Sequence, residues 1–482
     1  MMTDKSARPT NWRWAICTLL FFATTINYLD RQVLSLTWKD FIAPEFHWTD
    51  SDYGDITGFF SLFYAAVSLF AGKFIDWAGA RRGYVWAIFV WSLAACLHAA
   101  CGWATMHIEG VESIEALYAI ESGSALALAV ASVSVWLFLG CRALLALGEA
   151  GNFPAAIKVT AMYFPKKDRA FSTAVFNSGA SVGALVAPLS IPLLARALGW
   201  EMAFVIIGAL GFVWMGFWMR MYAAPEDSSH VNAAELAYIR QDEAGETEQQ
   251  IEAEEHDTIP FWRCFTFRQT WAFITGKALT DGVWWFFLFW TPAYFSDQYG
   301  YASYTPMGQA LIFTLYLIVT VVSIGGGYLP KLFVERRGMN PYAGRMRAML
   351  IFAFMPVLAL LAQPLGVYSA WWPAIIIGIA CAGHQAWSAN LYSTIGDMFP
   401  TSTVASIVGI GTMAGGIGSY IINKGSGMFF DYAAAAGSAF SFFGFIGKPA
   451  GYMIVFCICA VCYLAAWCII KLLVPRYKKI EL

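Results

Sequence analysis

A chain of 482 residues that is 59% hydrophobic and only 13% charged, with a mean hydropathy of +0.57, does not expose mainly water-facing surface. Thirty Lys and Arg against thirty-two Asp and Glu leave a net charge of -2, which excludes the basic excess that a nucleic-acid partner requires. The ten cysteines sit mostly in apolar runs, as Cys457, Cys459, Cys462 and Cys468 do, so neither a disulfide framework nor a zinc site is indicated and no metal or cofactor is expected.

The amino-terminal tail is short and polar. Lys5, Arg8 and Arg13 lead into an apolar run without a small-residue cleavage site, which reads as a retained first span and not a cleaved signal. A helical crossing of the hydrocarbon core needs about 20 apolar residues. The first six candidates are Trp14 to Trp38, Tyr53 to Trp77, Tyr84 to Thr105, Val133 to Phe164, Ala170 to Ala195 and Met202 to Tyr222. Six more follow: Trp271 to Phe295, Gly308 to Leu332, Gly344 to Gln363, Ala370 to Met398, Ser406 to Phe430 and Tyr452 to Val474. One irregular segment, His107 to Ala131, lengthens the loop before span four and carries Glu109, Glu112, Glu115 and Glu121.

The polar stretch Ala223 to Arg268, with Glu252, Glu254 and Glu255, reads as a partly helical linker. The expected organisation is an amino-terminal six-helix bundle at 1–222, a cytoplasmic linker at 223–268 and a carboxy-terminal six-helix bundle at 269–482. The bundles echo each other. Span four closes on Tyr163-Phe164-Pro165 and span ten on Met398-Phe399-Pro400, while Gly179 and Gly183 on span five match Gly411 and Gly415 on span eleven. The expected fold class is therefore all-α and polytopic, with twelve transmembrane helices in two six-helix pseudo-repeats, an arrangement that alternates access around a midplane site.

With the amino terminus inside, twenty-three of the thirty cations fall on the cytoplasmic side, against Lys39, Arg196 and Lys448 in outer loops. Both termini are expected on the cytoplasmic side. Arg31, Arg142, Lys277 and Lys424 fall within spans.

Charges inside a membrane are costly and by default functional. Arg142 and Glu149 are seven positions apart, which puts them on one helix face about 10 Å apart. Asp30 and Arg31 are adjacent and point about 100° apart, so one helix offers a cation to a solute and an acid to a neighbour. The competing reading is a set of ion pairs that only hold the bundle together. Arginine suits an anion site because its planar guanidinium binds a carboxylate through two bonds and stays charged. Lys277 and Asp281 lie one turn apart, where they either neutralise each other or touch solute. The glycines of span five, and Gly415, Gly416 and Gly418 of span eleven, suit close helix packing, and rocking halves need such smooth surfaces.

The run Gly72-Lys-Phe-Ile-Asp76-Trp-Ala-Gly79-Ala-Arg81-Arg82 resembles the loop signature of the major facilitator superfamily, with glycines for a tight turn, an acid to pair and arginines at the anionic leaflet. Its second-half copy, Gly327 to Gly338, is degenerate, with Pro330 and Lys331 where a small residue and an acid are expected. Asn27-Tyr28-Leu29-Asp30-Arg31, together with Arg142-Ala-Leu-Leu-Ala-Leu-Gly148-Glu149-Ala-Gly-Asn-Phe-Pro154, resembles the anion:cation symporter family. Within it, Lys277-Ala-Leu-Thr-Asp281-Gly-Val-Trp284-Trp285-Phe286 and His384-Gln385-Ala-Trp387-Ser-Ala-Asn390 are most similar to the bacterial hexuronate branch.

The resemblance implies a proton-coupled symporter of the cell's inner membrane, not an enzyme, that imports a sugar acid such as glucuronate or galacturonate as a monomer. Arg31 and Arg142 would hold the carboxylate, with Tyr28, Tyr64, Lys277, Trp284, Gln385, Trp387 and Asn390 around the sugar and Asp30 and Glu149 as proton carriers. His384 is a further titratable group that equally suits a packed, hydrogen-bonded position. The alternatives are transport of an aldonate or another organic anion, or a receptor that keeps a transporter fold. An intramembrane enzyme finds no support, because the chain has neither a His-rich cluster nor a Gly-x-Ser-x-Gly elbow.

Overall fold

The computed structural model describes residues 8–241 and 259–480, so Lys5, Glu246, Glu252, Glu254 and Glu255 lie outside the described residues. Helix α1 is Trp12–Thr37, prolonged by a π-helical turn Trp38–Ile42 and a short helix Ala43–Phe46. Helix α2, Asp50–His98, carries two crossings: Thr49 caps its start through the backbone N–H of Asp52, and it breaks at Gly79, where φ is 76° and ψ is 155°. That backbone conformation is open to glycine, and it makes the turn expected in the loop signature. Gly72, read with Gly79 as a turn residue, lies within a helical limb and does not make the turn.

Then come α3 (Ala100–Glu109), α4 (Ala125–Glu149), α5 (Asn152–Tyr163), α6 (Lys166–Leu198) and α7 (Trp200–Met221). The second half has α8 (Arg268–Tyr299), α9 (Pro306–Arg337), α10 (Pro341–Phe354), α11 (Trp371–Met398), α12 (Thr401–Ala436) and α13 (Lys448–Leu473). With both limbs of α2 counted, α3 continuing the second limb, α4 with α5 taken as one crossing, and α10 prolonged by a 3-10 turn Pro356–Leu361 and a short helix Ala362–Gly366, these make twelve crossings.

Seven helical stretches are long and apolar enough to cross a bilayer by length and composition alone. The crossings outside that set are α1, α8, α11 and α12. The first three carry Asp30 and Arg31, Lys277 and Asp281, and His384 to Asn390. Low hydropathy here reflects what these helices face inside the bundle.

Span four starts earlier than expected, because Ser124 caps α4 by accepting from the Ala127 N–H. The segment before it holds a short helix, Ile114–Ala119, capped by Ser113 and tied to the α1–α2 connection by a 3.0 Å bond between His47 Nε2 and the Leu117 carbonyl. Glu112, Glu115 and Glu121 are exposed there. The linker contains a helix, Ala233–Ile239, that folds back on the first half. Its buried Glu235 accepts from the Trp12 and Arg13 backbone N–H groups at 3.0 and 3.1 Å, so a carboxylate satisfies orphan donors at the start of α1.

The expected glycine packing is present. A Cβ on Gly183 would lie 2.6 Å from the Thr25 carbonyl oxygen, so α6 meets α1 backbone to backbone, and one on Gly418 would lie 2.8 Å from the Ala278 carbonyl carbon, so α12 meets α8 in the same way. The most extensive contact between two helices joins α2 to α12 and therefore the two halves.

At the end of the bundle away from the termini, four charges close a ring. Lys39 and Asp50 come from the first half, Asp297 and Lys448 from the second; the edges are 3.5 Å (Lys39–Asp50), 2.5 Å (Asp50–Lys448), 2.5 Å (Lys448–Asp297) and 2.9 Å (Asp297–Lys39). Asp431 accepts from the Asp50 and Ser51 backbone N–H groups at 3.0 and 2.7 Å, capping α2 from the opposite half. Asp40 accepts from Ser296 and from the Ser303 N–H, and Lys424 pairs with Asp55 at 2.6 Å. Among the described residues, the hydrogen bonds and ion pairs that join the halves all involve residues 36–61 on one side and 289–303 or 419–448 on the other. This end is closed. Each half contributes one neutral pair to the ring, Lys39 with Asp50 and Lys448 with Asp297, so separating the halves would abandon no buried charge.

The loop-signature acid Asp76 pairs with Lys158 on α5 at 2.8 Å, within its own half, and Arg81 donates to the Met219 carbonyl at 2.8 Å. The degenerate second copy is replaced by a pair of reversed placement, Arg345 on α10 with Asp397 at the end of α11.

Candidate functional site

The sequence around Glu149 explains how an acid is brought to a cation. A Cβ on Gly151 would lie 2.8 Å from the Ala87 Cβ and one on Gly148 2.7 Å from the Ala87 carbonyl oxygen, so both glycines let the α4–α5 crossing press against the second limb of α2. The helix is interrupted between Glu149 and Asn152, and Asn152 Oδ1 accepts from the Tyr84 hydroxyl at 2.6 Å. Glu149 is thereby held in front of α1, where its Oε2 accepts from Arg31 Nε and Nη2 at 3.1 and 2.7 Å. Both side chains are almost completely buried.

Three rings surround the Arg31 guanidinium: Tyr64 at 4.8 Å, Trp285 at 5.0 Å and Tyr28 at 5.4 Å from the guanidinium carbon to the ring centre. Arg142 sits over Phe60 at 5.2 Å, and its Nη1 is buried without a hydrogen-bond partner. Both oxygens of Asp30, the other oxygen of Glu149, and the side-chain amides of Asn27 and Gln32 are likewise buried and partnerless. Burying polar atoms without partners costs about 1 to 3 kcal/mol each, and more when they are charged. Such a concentration inside the helix bundle fits a site whose partners are supplied by solute or water.

The second half contributes the buried pair Lys277–Asp281 at 2.6 Å, with Lys277 also 4.8 Å from the Tyr392 ring centre. The two residues neutralise each other, as their one-turn spacing allows. His384 is packed: its Nδ1 is 2.7 Å from the Tyr463 hydroxyl, and the Trp284 ring lies flat over it with centres 5.2 Å apart. Asn390 donates to the Ala386 carbonyl at 2.8 Å, and Gln385 is half-buried on the same helix.

Not every candidate meets the cage in this conformation. Trp387, expected around the sugar, is fully buried and meets Tyr463 nearly edge to face at 5.7 Å. Trp284 has one face covered by His384. Trp285 and Tyr392, which the sequence reading did not single out, lie nearer the charges. The Trp284-Trp285 doublet was the available signal, but neighbours on a helix point about 100° apart and only the packing decides which faces inward.

The fold and motifs have matching counterparts. The Major Facilitator Superfamily model matches residues 20–422. The chain is 27% identical over 420 residues to the hexuronate transporter of Escherichia coli (strain K12), covering 84% of this chain and 85% of that protein. It is 25% identical over 352 residues to the galacturonate transporter of Dickeya chrysanthemi, covering 72% and 89% respectively. Among solved structures, a bacterial homolog of the human lysosomal transporter Spinster, in an inward-facing and occupied conformation, superposes with a TM-score of 0.64 at 18% identity over 97% of both chains. The Escherichia coli xylose transporter XylE, in a partially occluded inward open conformation, gives a TM-score of 0.63 at 13% identity over 95% of this chain and 97% of that one. Twelve crossings in two pseudo-repeats, buried charges on the polar crossings and a family match across most of the length lead to one conclusion: this is a multi-pass membrane transporter, not an enzyme, and it belongs to the Major Facilitator Superfamily.

Proposed function

We propose that the protein is a proton-coupled importer of a sugar acid, a hexuronate such as glucuronate or galacturonate, working by alternating access in the inner membrane. The observation that carries this reading is the buried group of Arg31 paired to Glu149, beside an Arg142 whose Nη1 has no partner. Two arginines at one mid-membrane site call for an anion, and the guanidinium fork fits a carboxylate. The names of the hexuronate and galacturonate transporters to which the chain is similar support the sugar-acid class.

The cycle follows from the competition for cations. Glu149 occupies Nε and Nη2 of Arg31. An incoming carboxylate shares the cationic field of Arg31, and a Glu149 held less strongly in a water-poor site takes up a proton more readily, so substrate and proton favour each other's binding. Asp30, partnerless in the same charge group, is the second carrier. Tyr28, Tyr64, Lys277, Trp284, Gln385 and Asn390 border or support the sugar site, and Trp387 backs it through Tyr463. With both termini cytoplasmic, the closed end faces outward. The bundles at 1–222 and 269–482 rock about the α2–α12 contact, joined by the linker at 223–268.

The test is a binding measurement on purified protein. Glucuronate binds and neutral glucose does not, and Arg142→Ala weakens glucuronate by about 2 to 5 kcal/mol, the scale for truncating one partner of a buried charge pair. Equal binding of glucose and glucuronate removes the anion site.

A further inference from the structure

We propose that Trp285 is a specificity-determining residue: its indole supplies the stacking face for a cyclic sugar acid and thereby selects pyranose over open-chain substrates. The inference rests on the proposed sugar-acid site and assigns within it a contact that the motif did not single out.

Three tryptophans of the second half compete for this role, and their surroundings separate them. Trp387 is fully buried against Tyr463, and Trp284 lies at an interplanar angle of 10° over His384. Trp285 is half-buried, and it is the second-half ring in the cage around Arg31, with its centre 5.0 Å from the guanidinium carbon. Tyr64 stands 6.3 Å from it at an interplanar angle of 59°, and Phe289 is 5.2 Å away at 37°, so neither lies parallel over its face.

The hydrogen bonds of Arg31 indicate where a ligand enters. Glu149 takes Nε and Nη2, which leaves Nη1 as the edge for an incoming carboxylate. In a hexuronate the carboxyl carbon is bonded directly to the pyranose ring. A carboxylate hydrogen-bonded at Nη1 therefore holds the ring centre roughly 6 Å from the guanidinium carbon, beside the cage rings. A pyranose has a face of C–H bonds that packs on an aromatic ring, which itself carries partial negative charge on its face. An aldonate is an open chain of hydroxyl-bearing carbons with no such face, and it uses the arginine without needing the indole. Because Trp285 belongs to α8 and Arg31 to α1, a stacked ring also bridges the two halves at the level of the charge site.

The experiment compares glucuronate with galactonate on wild-type protein, Trp285→Leu and Trp285→Phe by equilibrium binding. Trp285→Leu is expected to weaken glucuronate about tenfold, the upper end of a lost aromatic contact, and galactonate less than about threefold. Trp285→Phe, which keeps a smaller ring, falls between wild type and Trp285→Leu for glucuronate. Retained galactonate binding shows that a variant is folded; if Trp285→Leu does not fold, the ratio of the two affinities in Trp285→Phe decides. An unchanged ratio, whether both ligands weaken together or neither does, overturns the assignment. Tight galactonate binding by wild type without glucuronate binding also overturns it but leaves a sugar-acid site standing. Failure of wild type to bind either acid removes the proposed function itself.

Discussion

Gly54→Ala should shift the balance between the two access states rather than simply unfold the protein. Gly54 lies on α2 where that helix meets α12 of the other half, and a Cβ there would fall 2.8 Å from the Asn423 carbonyl oxygen, 3.2 Å from the Gly427 Cα and 3.4 Å from the Gly427 nitrogen. All three are backbone atoms, so no side chain can rotate away and the strain is relieved by moving one helix from the other. Overpacking of this kind costs about 1 to 3 kcal/mol. Because the cost falls only on the state in which this end is closed, it lowers the closed-to-open ratio by roughly 5- to 150-fold. The ring of Lys39, Asp50, Asp297 and Lys448 offers little resistance, since it separates into two neutral pairs. Spin labels at the exposed positions Glu121 and Ser441, one in each half at the closed end, report the change as growth of a longer-distance population in pulsed electron resonance. The control is Gly208→Ala, whose Cβ would lie 2.9 Å from Ala95 and Cys96 side-chain atoms and 3.0 Å from the Ser92 carbonyl oxygen, all within the first half. It should lower the melting temperature and leave the label distance alone. An unchanged distance in Gly54→Ala, or an equal shift in Gly208→Ala, refutes the view that α2 and α12 form the moving surface.

Two further outcomes follow from the charge site and the topology. Glu149→Gln should still bind sugar acid and exchange it across a vesicle membrane, because the loaded carrier reorients, but it should not accumulate substrate under an imposed proton gradient; Asp30→Asn is measured beside it, and normal accumulation by both single variants and the double variant eliminates coupling through these acids. Single cysteines at Glu246 in the linker and at Glu112 in the segment before α4 should react with an impermeant reagent from opposite sides of the membrane, whereas labelling of both from one side contradicts the two-by-six topology.

Much of this protein can be read without coordinates, because membrane insertion imposes local rules. A crossing must satisfy its own backbone and bury about 20 apolar residues, so span number and the six-plus-six repeat are written in hydropathy and turn residues along the chain. The cost of a charge in hydrocarbon likewise singles out Asp30, Arg31, Arg142, Glu149, Lys277 and Asp281 before any partner is known. Gly79 declares the turn after span two, since its backbone conformation disfavours other residues.

Partnership is a different matter, because it depends on which helices become neighbours and on how each is rotated. The seven-residue spacing of Arg142 and Glu149 placed them on one face, but Glu149 pairs with Arg31, 118 positions away, because Gly148 and Gly151 let its helix approach α2 and the helix breaks at that point. Trp285 rather than Trp387 joins the Arg31 cage because rotation of α8 turns one indole inward while α11 buries the other against Tyr463. The closed ring of Lys39, Asp50, Asp297 and Lys448 has no signature along the chain at all, since its members look like ordinary loop and helix-end charges until the two halves meet. Residue type and spacing therefore determine which groups are costly to bury, and only tertiary packing decides which of them meet, because the energy of a buried charge depends on its neighbours across helices and not on its neighbours in sequence.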